Sequence, residues 1–378
     1  MRIVINRTDA IGDTLLTLPV AQLIKEHHPD AEIIFWVSHK SKDIFEYYNW
    51  VDKIWVMDRH AYWPARMVHS FKQIFSHEID AYFFMAGSHF PSFFAWLKGI
   101  KFRGGLRSKW QSFVFLNHAI RQKRSLVEMH ESDYNLLLLE KFKIKYQFKD
   151  REKLRPLLNI PSQDVVDAKE RLKQRVLAQG IEWREKIIII HPGMVGHTLN
   201  WPMFNFTSLM SEMEEMWPGR FTFVVSFTKA DLPFINKIKG YLQDDKFTHL
   251  NKKIFFYDGG VLGLKEYLKV LKNATLFIGP STGTTHLANC LDIPQIAIYS
   301  PIKVQSAMRW GPFSRSHEKC RVLIPDVVCG EQFFCAREEC FYYKCMAKIE
   351  VDDVLVHVKE LFIINKVIDD RGVHESNL

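Results

Sequence analysis

The sequence is most informative first in what it lacks. It has no uninterrupted apolar run near the roughly 18–20 residues a membrane-crossing helix needs, so no helical span is expected. It has no G-x-x-x-x-G-K-[ST], which excludes a P-loop nucleotidase. The turn after the first apolar run, Asn6-Arg7-Thr8-Asp9-Ala10-Ile11-Gly12-Asp13, offers one glycine where a dinucleotide fingerprint needs three, so a nicotinamide or flavin oxidoreductase is disfavoured. No Cys-x-x-Cys pair is present: of six cysteines the last four, Cys329, Cys335, Cys340 and Cys345, are separated by five, four and four residues and lack the close pairs of a common zinc module. Reduced thiols without a metal are the expectation, with a metal or disulfide cluster as the alternative. The opening MRIVINRTDAIGD brings in charge early and shows no small-residue cleavage site; it reads as a strand, and the expected location is cytoplasmic.

Acidic charge is also missing locally. Lys98, Lys101, Arg103, Arg107, Lys109, Arg121, Lys123 and Arg124 lie in one stretch without a single Asp or Glu, on a chain of net charge +8. Phe102, Trp110, Phe113 and Phe115 are interleaved with them. Such a run is either a solvated face or a surface for a partner rich in phosphate or carboxylate, with nucleic acid and an anionic membrane both to be weighed.

What is present fits two α/β domains. A chain of 378 residues with 47% hydrophobic and 25% charged residues exceeds what one core usually holds. Strands are expected at Arg2–Asn6, Ala31–Val37, Ile54–Met57 and Ala81–Phe84, with helices at Asp13–His27 and His130–Phe142. The polar stretch Lys149–Asp164, with Pro156 and Pro161, is the linker candidate. The pattern then restarts with a helix over Val165–Leu177. Strands follow at Lys186–Ile190, Phe221–Ser226, Lys253–Phe256, Thr275–Ile278 and Gln295–Tyr299, and a terminal helix at Val351–Ile364. Continuous β-branched runs such as KIIII suit parallel strands buried on both faces. The division expected is residues 1–160, 161–350 and a C-terminal helix and tail over 351–378. In such sheets ligands sit beyond the carboxyl ends of the strands.

Three strand-to-helix turns carry chemistry. In the first, Gly12 permits a tight turn, and Asp13 or Asp9 is either a helix N-cap or a carboxylate able to take a proton from a hydroxyl; spacing alone favours the cap. In the second, His191-Pro192-Gly193-Met194-Val195-Gly196, the glycines let backbone amides approach a ligand, Asn200-Trp201-Pro202 opens the next helix, and His191 reads as a buried strand-end histidine rather than a catalytic one. The third, Ser281-Thr282-Gly283-Thr284-Thr285, concentrates hydroxyls at a helix N-terminus. Capping needs one of them, so an anion site is the better reading.

RTDAIGDTLLTLP, HPG…NWP, and GPSTGTTHLAN followed by IYSPIKVQSAMRWGP together resemble glycosyltransferase family 9, which contains the ADP-heptose:lipopolysaccharide heptosyltransferases. The resemblance runs from Met1 to about Leu361. It implies a GT-B fold, two Rossmann-like domains facing across a cleft, the acceptor on the first and the nucleotide sugar on the second. It implies inverting, metal-independent transfer of a heptose to an inner-core lipopolysaccharide acceptor, with no cofactor and no nucleic-acid partner, at the cytoplasmic face of the inner membrane. Asp13 corresponds to the family's general base, with Thr8, Asp9 and Gly12 beside it on the acceptor side. Gly193, Met194, Asn200 and Ser281–Thr285 surround the donor diphosphate, with His286 one turn inside the helix. Thr228 or Asp231 reaches the ribose. Lys101, Arg103, Arg107, Arg121 and Arg124 would clamp the anionic acceptor.

Two positions depart from the family pattern. A lysine two residues before the Trp-Pro pair is here Leu199, and an aspartate in a D-[ST]-G turn is here Ser281. Both bear on the donor, and His197 or Asn200 is the candidate replacement for the lysine. The rival readings are a GT-B enzyme with another nucleotide-sugar donor, a sugar-nucleotide epimerase, and a non-catalytic polyanion-binding protein built on the basic run.

Overall fold

The computed structural model describes residues 1–58, 60–194, 199–330 and 334–368. The chain divides into two compact units, Met1–Asn159 and Ile160–Leu378, the division falling inside the polar, proline-bearing stretch.

In the first unit the strands are β1 (Arg2–Arg7), β2 (Glu32–Ser38), β3 (Lys53–Met57), β4 (Ala81–Ala86), β5 (Phe102–Leu106) and β6 (His118–Ile120). They form one parallel sheet in the order β3-β2-β1-β4-β5-β6. In the second they are β7 (Lys186–Ile190), β8 (Phe221–Phe227), β9 (Ile254–Asp258), β10 (Ala274–Pro280), β11 (Gln295–Ile298) and β12 (Cys320–Leu323), again parallel, in the order β12-β11-β10-β7-β8-β9. Counted within its own unit, each sheet has the doubly wound order 3-2-1-4-5-6. The order reverses between β1 and β4 in one and between β7 and β10 in the other, where such sheets bind ligands. All three candidate turns follow strands that flank these reversal points.

The strands are buried as their composition requires. Ile187, Ile188, Ile189 and Ile190 are fully covered, as are Tyr82 and Phe83 of β4. The terminal helix Val351–Ile364 lays Val354, Leu355, Val358, Leu361 and Phe362 into the core of the second unit.

Several expectations are corrected. The helix expected over Asp13–His27 is two helices, Ile11–Leu15 and Leu18–His27, because Pro19 in the first turn of the second cannot donate back into the first. The helix expected over His130–Phe142 ends at Leu137 and continues as a 3-10 turn, Glu140–Phe142. Strands β5, β6 and β12 were not expected. The basic run therefore contains two strands and the helix Trp110–Phe115, not a simple charged face. Its glycines are structural: Gly105 has φ +128°, and a Cβ there would lie 2.0 Å from the Phe84 carbonyl oxygen.

Candidate functional site

The first turn is organised by a residue that the sequence reading passed over. Arg7 is the last residue of β1, and its guanidinium is buried where the chain leaves the sheet. Its Nε donates to Asp9 Oδ1 at 2.8 Å, its Nη2 donates to Asp13 Oδ1, and its Nη1 lies 3.8 Å from Glu131 Oε1. Burial works against the charge on Arg7, but Asp9, Asp13 and Glu131 together outweigh it and raise its pKa. Burial also pushes the Asp9 carboxyl above the usual carboxylate range, with Arg7 pulling the other way.

Asp13 is not an N-cap. Ala10 holds that position without a side-chain cap, and Asp13 lies inside the first turn. Gly12 is helical too, so it makes no tight turn. The turn is fixed from below: Thr17 Oγ1 donates to the Asp13 carbonyl at 2.8 Å, and Asn135 Nδ2 donates to Thr17 Oγ1 at 3.1 Å. Thr8 is buried, and its hydroxyl accepts from the Ser88 amide beyond β4 at 3.1 Å. The Asp13 side chain keeps 22% of its surface open to solvent, against 3% for Arg7. A carboxylate held firmly from behind and open in front can take a proton from a bound hydroxyl.

In the second unit, His191 directly follows β7, with Nδ1 2.9 Å from the Ser226 carbonyl oxygen, and burial lowers its pKa. It is a buried, neutral strand-end histidine, as its sequence context indicates. Gly193 is needed for packing: a Cβ would come within 2.4 Å of the Phe234 ring. Asn200 and Met194 engage each other, Oδ1 accepting from the Met194 amide at 3.0 Å and Nδ2 donating to its carbonyl at 2.9 Å. Met194 and Asn200 are thereby tied to each other; Val195, Gly196 and the candidate His197 lie outside the described residues. Leu199 packs against the core. Thr228 and Asp231 likewise bond each other, the carboxylate accepting from both the amide and the hydroxyl of Thr228 at 2.8 Å.

The third turn closes β10 and opens the helix Gly283–Cys290. Thr282 is its N-cap residue, yet its hydroxyl makes no cap bond. It lies 2.6 Å from the Thr284 hydroxyl and 3.5 Å from that of Thr285, which donates to the Pro280 carbonyl. Ser281 is hydrogen-bonded to the buried Tyr299 hydroxyl, and His286 is buried one turn in. The hydroxyls thus hold one another at a helix end whose first amides lack intrahelical acceptors. That arrangement suits an oxyanion.

The basic run is thinner than its sequence. Arg124 is buried: it is ion-paired to Glu131, bonds Asn135 Oδ1 at 3.1 Å, and takes Gln122 Oε1 at 2.9 and 2.7 Å. Arg103 donates to the carbonyls of Phe115 and Ile100. Both side chains thus have partners within the first unit. Lys101 and Arg121 are exposed, and Arg107 is half-buried with its guanidinium 5.4 Å from the Phe113 ring.

Cys329, Cys335, Cys340 and Cys345 line one cavity of about 280 Å³ with Leu199, Ile302 and Met346. All four are free thiols, and burial raises the pKa of Cys329 and Cys345. Among the described residues no three His, Cys, Asp or Glu side chains are arranged to hold a metal ion. No helix among them is long and apolar enough to cross a membrane.

A family model described as "Glycosyltransferase family 9 (heptosyltransferase)" matches residues 67–332. The chain is similar in structure to Escherichia coli ADP-heptose lipopolysaccharide heptosyltransferase II, with a TM-score of 0.75 at 15% identity over 97% of this chain and 100% of that one. It is also similar to a family 9 glycosyl transferase of Veillonella parvula DSM 2008, with a TM-score of 0.76 at 16% identity over 96% and 97%. In sequence it is 23% identical over 313 residues to a Haemophilus influenzae protein whose own assignment as a glycosyltransferase is provisional, covering 83% of this chain and 86% of that one. At these identities the solved structures show the fold, which is GT-B.

Proposed function

The chain belongs to glycosyltransferase family 9, the heptosyltransferase family, and on that premise we propose that it moves a heptose from ADP-heptose to an inner-core lipopolysaccharide acceptor. The acceptor hydroxyl loses its proton to Asp13 as its oxygen attacks the anomeric carbon. The bond to the nucleoside diphosphate breaks on the opposite face, and the diphosphate leaves with the electron pair. The sugar configuration is thereby inverted. Charge that grows on the leaving group is stabilised by preorganised donors rather than by a metal.

The observation that carries the reading is the third turn. Ser281, Thr282, Thr284 and Thr285 are fixed around the amides that open the helix Gly283–Cys290. That is the chemistry a diphosphate requires. Lys101, Arg107 and Arg121 supply positive charge on the unit that carries Asp13, where an acceptor bearing phosphate and carboxylate would lie. Nothing in the scheme calls for nucleic acid or a cofactor, and the setting that goes with it is the cytoplasmic face of the inner membrane.

Leu199 and Ser281 favour keeping one second reading, the same reaction with another nucleotide sugar. Calorimetric titration with ADP, UDP and GDP, with and without chelator, separates the two. Chelator-insensitive ADP binding that weakens about tenfold or more in Ser281→Ala/Thr282→Ala supports ADP-heptose. Preference for UDP or GDP supports the alternative donor.

A further inference from the structure

The proposed reaction leaves one charge without a counterpart. A departing diphosphate calls for a full positive charge beside it, because a charged donor holds an anion roughly twice as strongly as a neutral one. The second and third turns supply none: residues 191–202 and 281–291 contain no Lys or Arg. Leu199, at the position of the family's lysine, packs against the core instead.

The register of the second sheet brings a cation in from the side. β10 and β11 are parallel neighbours, with Gly279 opposite Ala297 and Pro280 opposite Ile298. Strands so paired lie about 4.8 Å apart, and the chain leaves them side by side at Ser281 and Tyr299. The third turn follows one strand, and the 3-10 turn Lys303–Gln305 follows the other. Hydrogen bonds tie the two turns together. Ser281 bonds the Tyr299 hydroxyl, which donates to the Trp310 carbonyl at 2.7 Å, and Trp310 Nε1 donates to the Val304 carbonyl at 2.9 Å. Ser300, which starts the segment leading to Lys303, is fully buried, and its hydroxyl has no hydrogen-bond partner among the described residues. A buried polar atom left open beside a candidate anion site is one that a bound ligand or water completes.

The other cations at this end of the sheet are engaged or further off. Arg309 lays its guanidinium 4.5 Å from the Trp310 ring, and Arg315 donates to the Ala307 carbonyl. Lys229 follows β8, which lies beyond β7 from β10. We propose that Lys303 supplies the full positive charge for the donor diphosphate, from the turn after β11 rather than from the loop before the Trp-Pro pair. The proposal rests on the functional reading for its ligand, a nucleoside diphosphate, and adds the residue that recognises its charge.

The test is titration of the full chain with the diphosphates and monophosphates of adenosine, uridine and guanosine, at two salt concentrations. Wild type is expected to prefer the diphosphate of one nucleoside. Lys303→Gln should lose about tenfold or more of that diphosphate affinity and little of the monophosphate affinity, with a shallower dependence on salt. Lys303→Arg should restore part of the preference, and Arg309→Gln should keep it. A merely structural lysine would weaken both ligands alike and lower the melting temperature. That result would overturn the proposal and leave the functional reading standing. So would unchanged diphosphate affinity in Lys303→Gln, or a wild type that binds diphosphate and monophosphate equally. Failure of wild type to bind any of these nucleotides would overturn the functional reading, and this proposal with it.

Discussion

Arg7 and Asp13 are joined: the guanidinium at the end of β1 donates to the carboxylate in the first turn of the following helix. One partner is buried and the other half-open. The cation is in turn braced by Glu131, which also holds Arg124. The carboxylate proposed as base thus stands at the outer end of a charge network anchored in the first unit's interior.

Replacing Arg7 by Met should be costly, since Asp9, Asp13 and Glu131 would lose their shared cation. The expected loss is about 3–5 kcal/mol in urea unfolding, the range for breaking a buried pair from one side. Arg7→Lys should recover part of the stability but not the two-carboxylate grip, because an ammonium lacks the fork. Equal stability of Arg7→Met and wild type would contradict the network.

Arg121 and Arg124 are near neighbours in sequence and should behave oppositely. Arg124→Gln is expected to lower stability by about 3–5 kcal/mol through the stranded Glu131. Arg121→Gln should leave the melting temperature alone and raise KM for an anionic acceptor. Thermal melts and acceptor titrations on both variants check the contrast.

Much of this was legible in the sequence, and what was not had physical causes. KIIII and AYFF announced buried parallel strands because they are apolar without interruption. FRGGL did not, because its glycines lower strand propensity and reveal their purpose only against Phe83 and Phe84. The three turns were visible as small-residue clusters after apolar runs. The role of Arg7 was not, although a charged residue closing an apolar strand was the available signal. Arg124 looked like one more cation in a basic block, since its partner Glu131 lies beyond that block and is brought to it by the fold.

Gly193 should tolerate no side chain while Phe234 is present. Gly193→Ala is expected to destabilise by about 1–3 kcal/mol from overpacking, and Phe234→Leu in the same chain should relieve part of it. Chemical denaturation of the single and double variants tests this. Additive losses would contradict the packing role.

His191 should make stability depend on pH in one direction. Burial lowers its pKa from 6.5, so the folded protein binds this proton less readily than the unfolded chain. The associated stability is complete above that value and is lost as pH falls below it. Urea midpoints at pH 7.5 and 5.5 should therefore differ more for wild type than for His191→Asn. Identical differences would show that the imidazole titrates normally.

The central claim is that Asp13 takes the proton from the acceptor, and the direct measurement is sugar transfer by Asp13→Asn alongside its nucleotide affinity. The account predicts a fall in kcat of about 10²–10⁴-fold with nucleotide affinity unchanged. Transfer at the wild-type rate by a folded Asp13→Asn protein would contradict it.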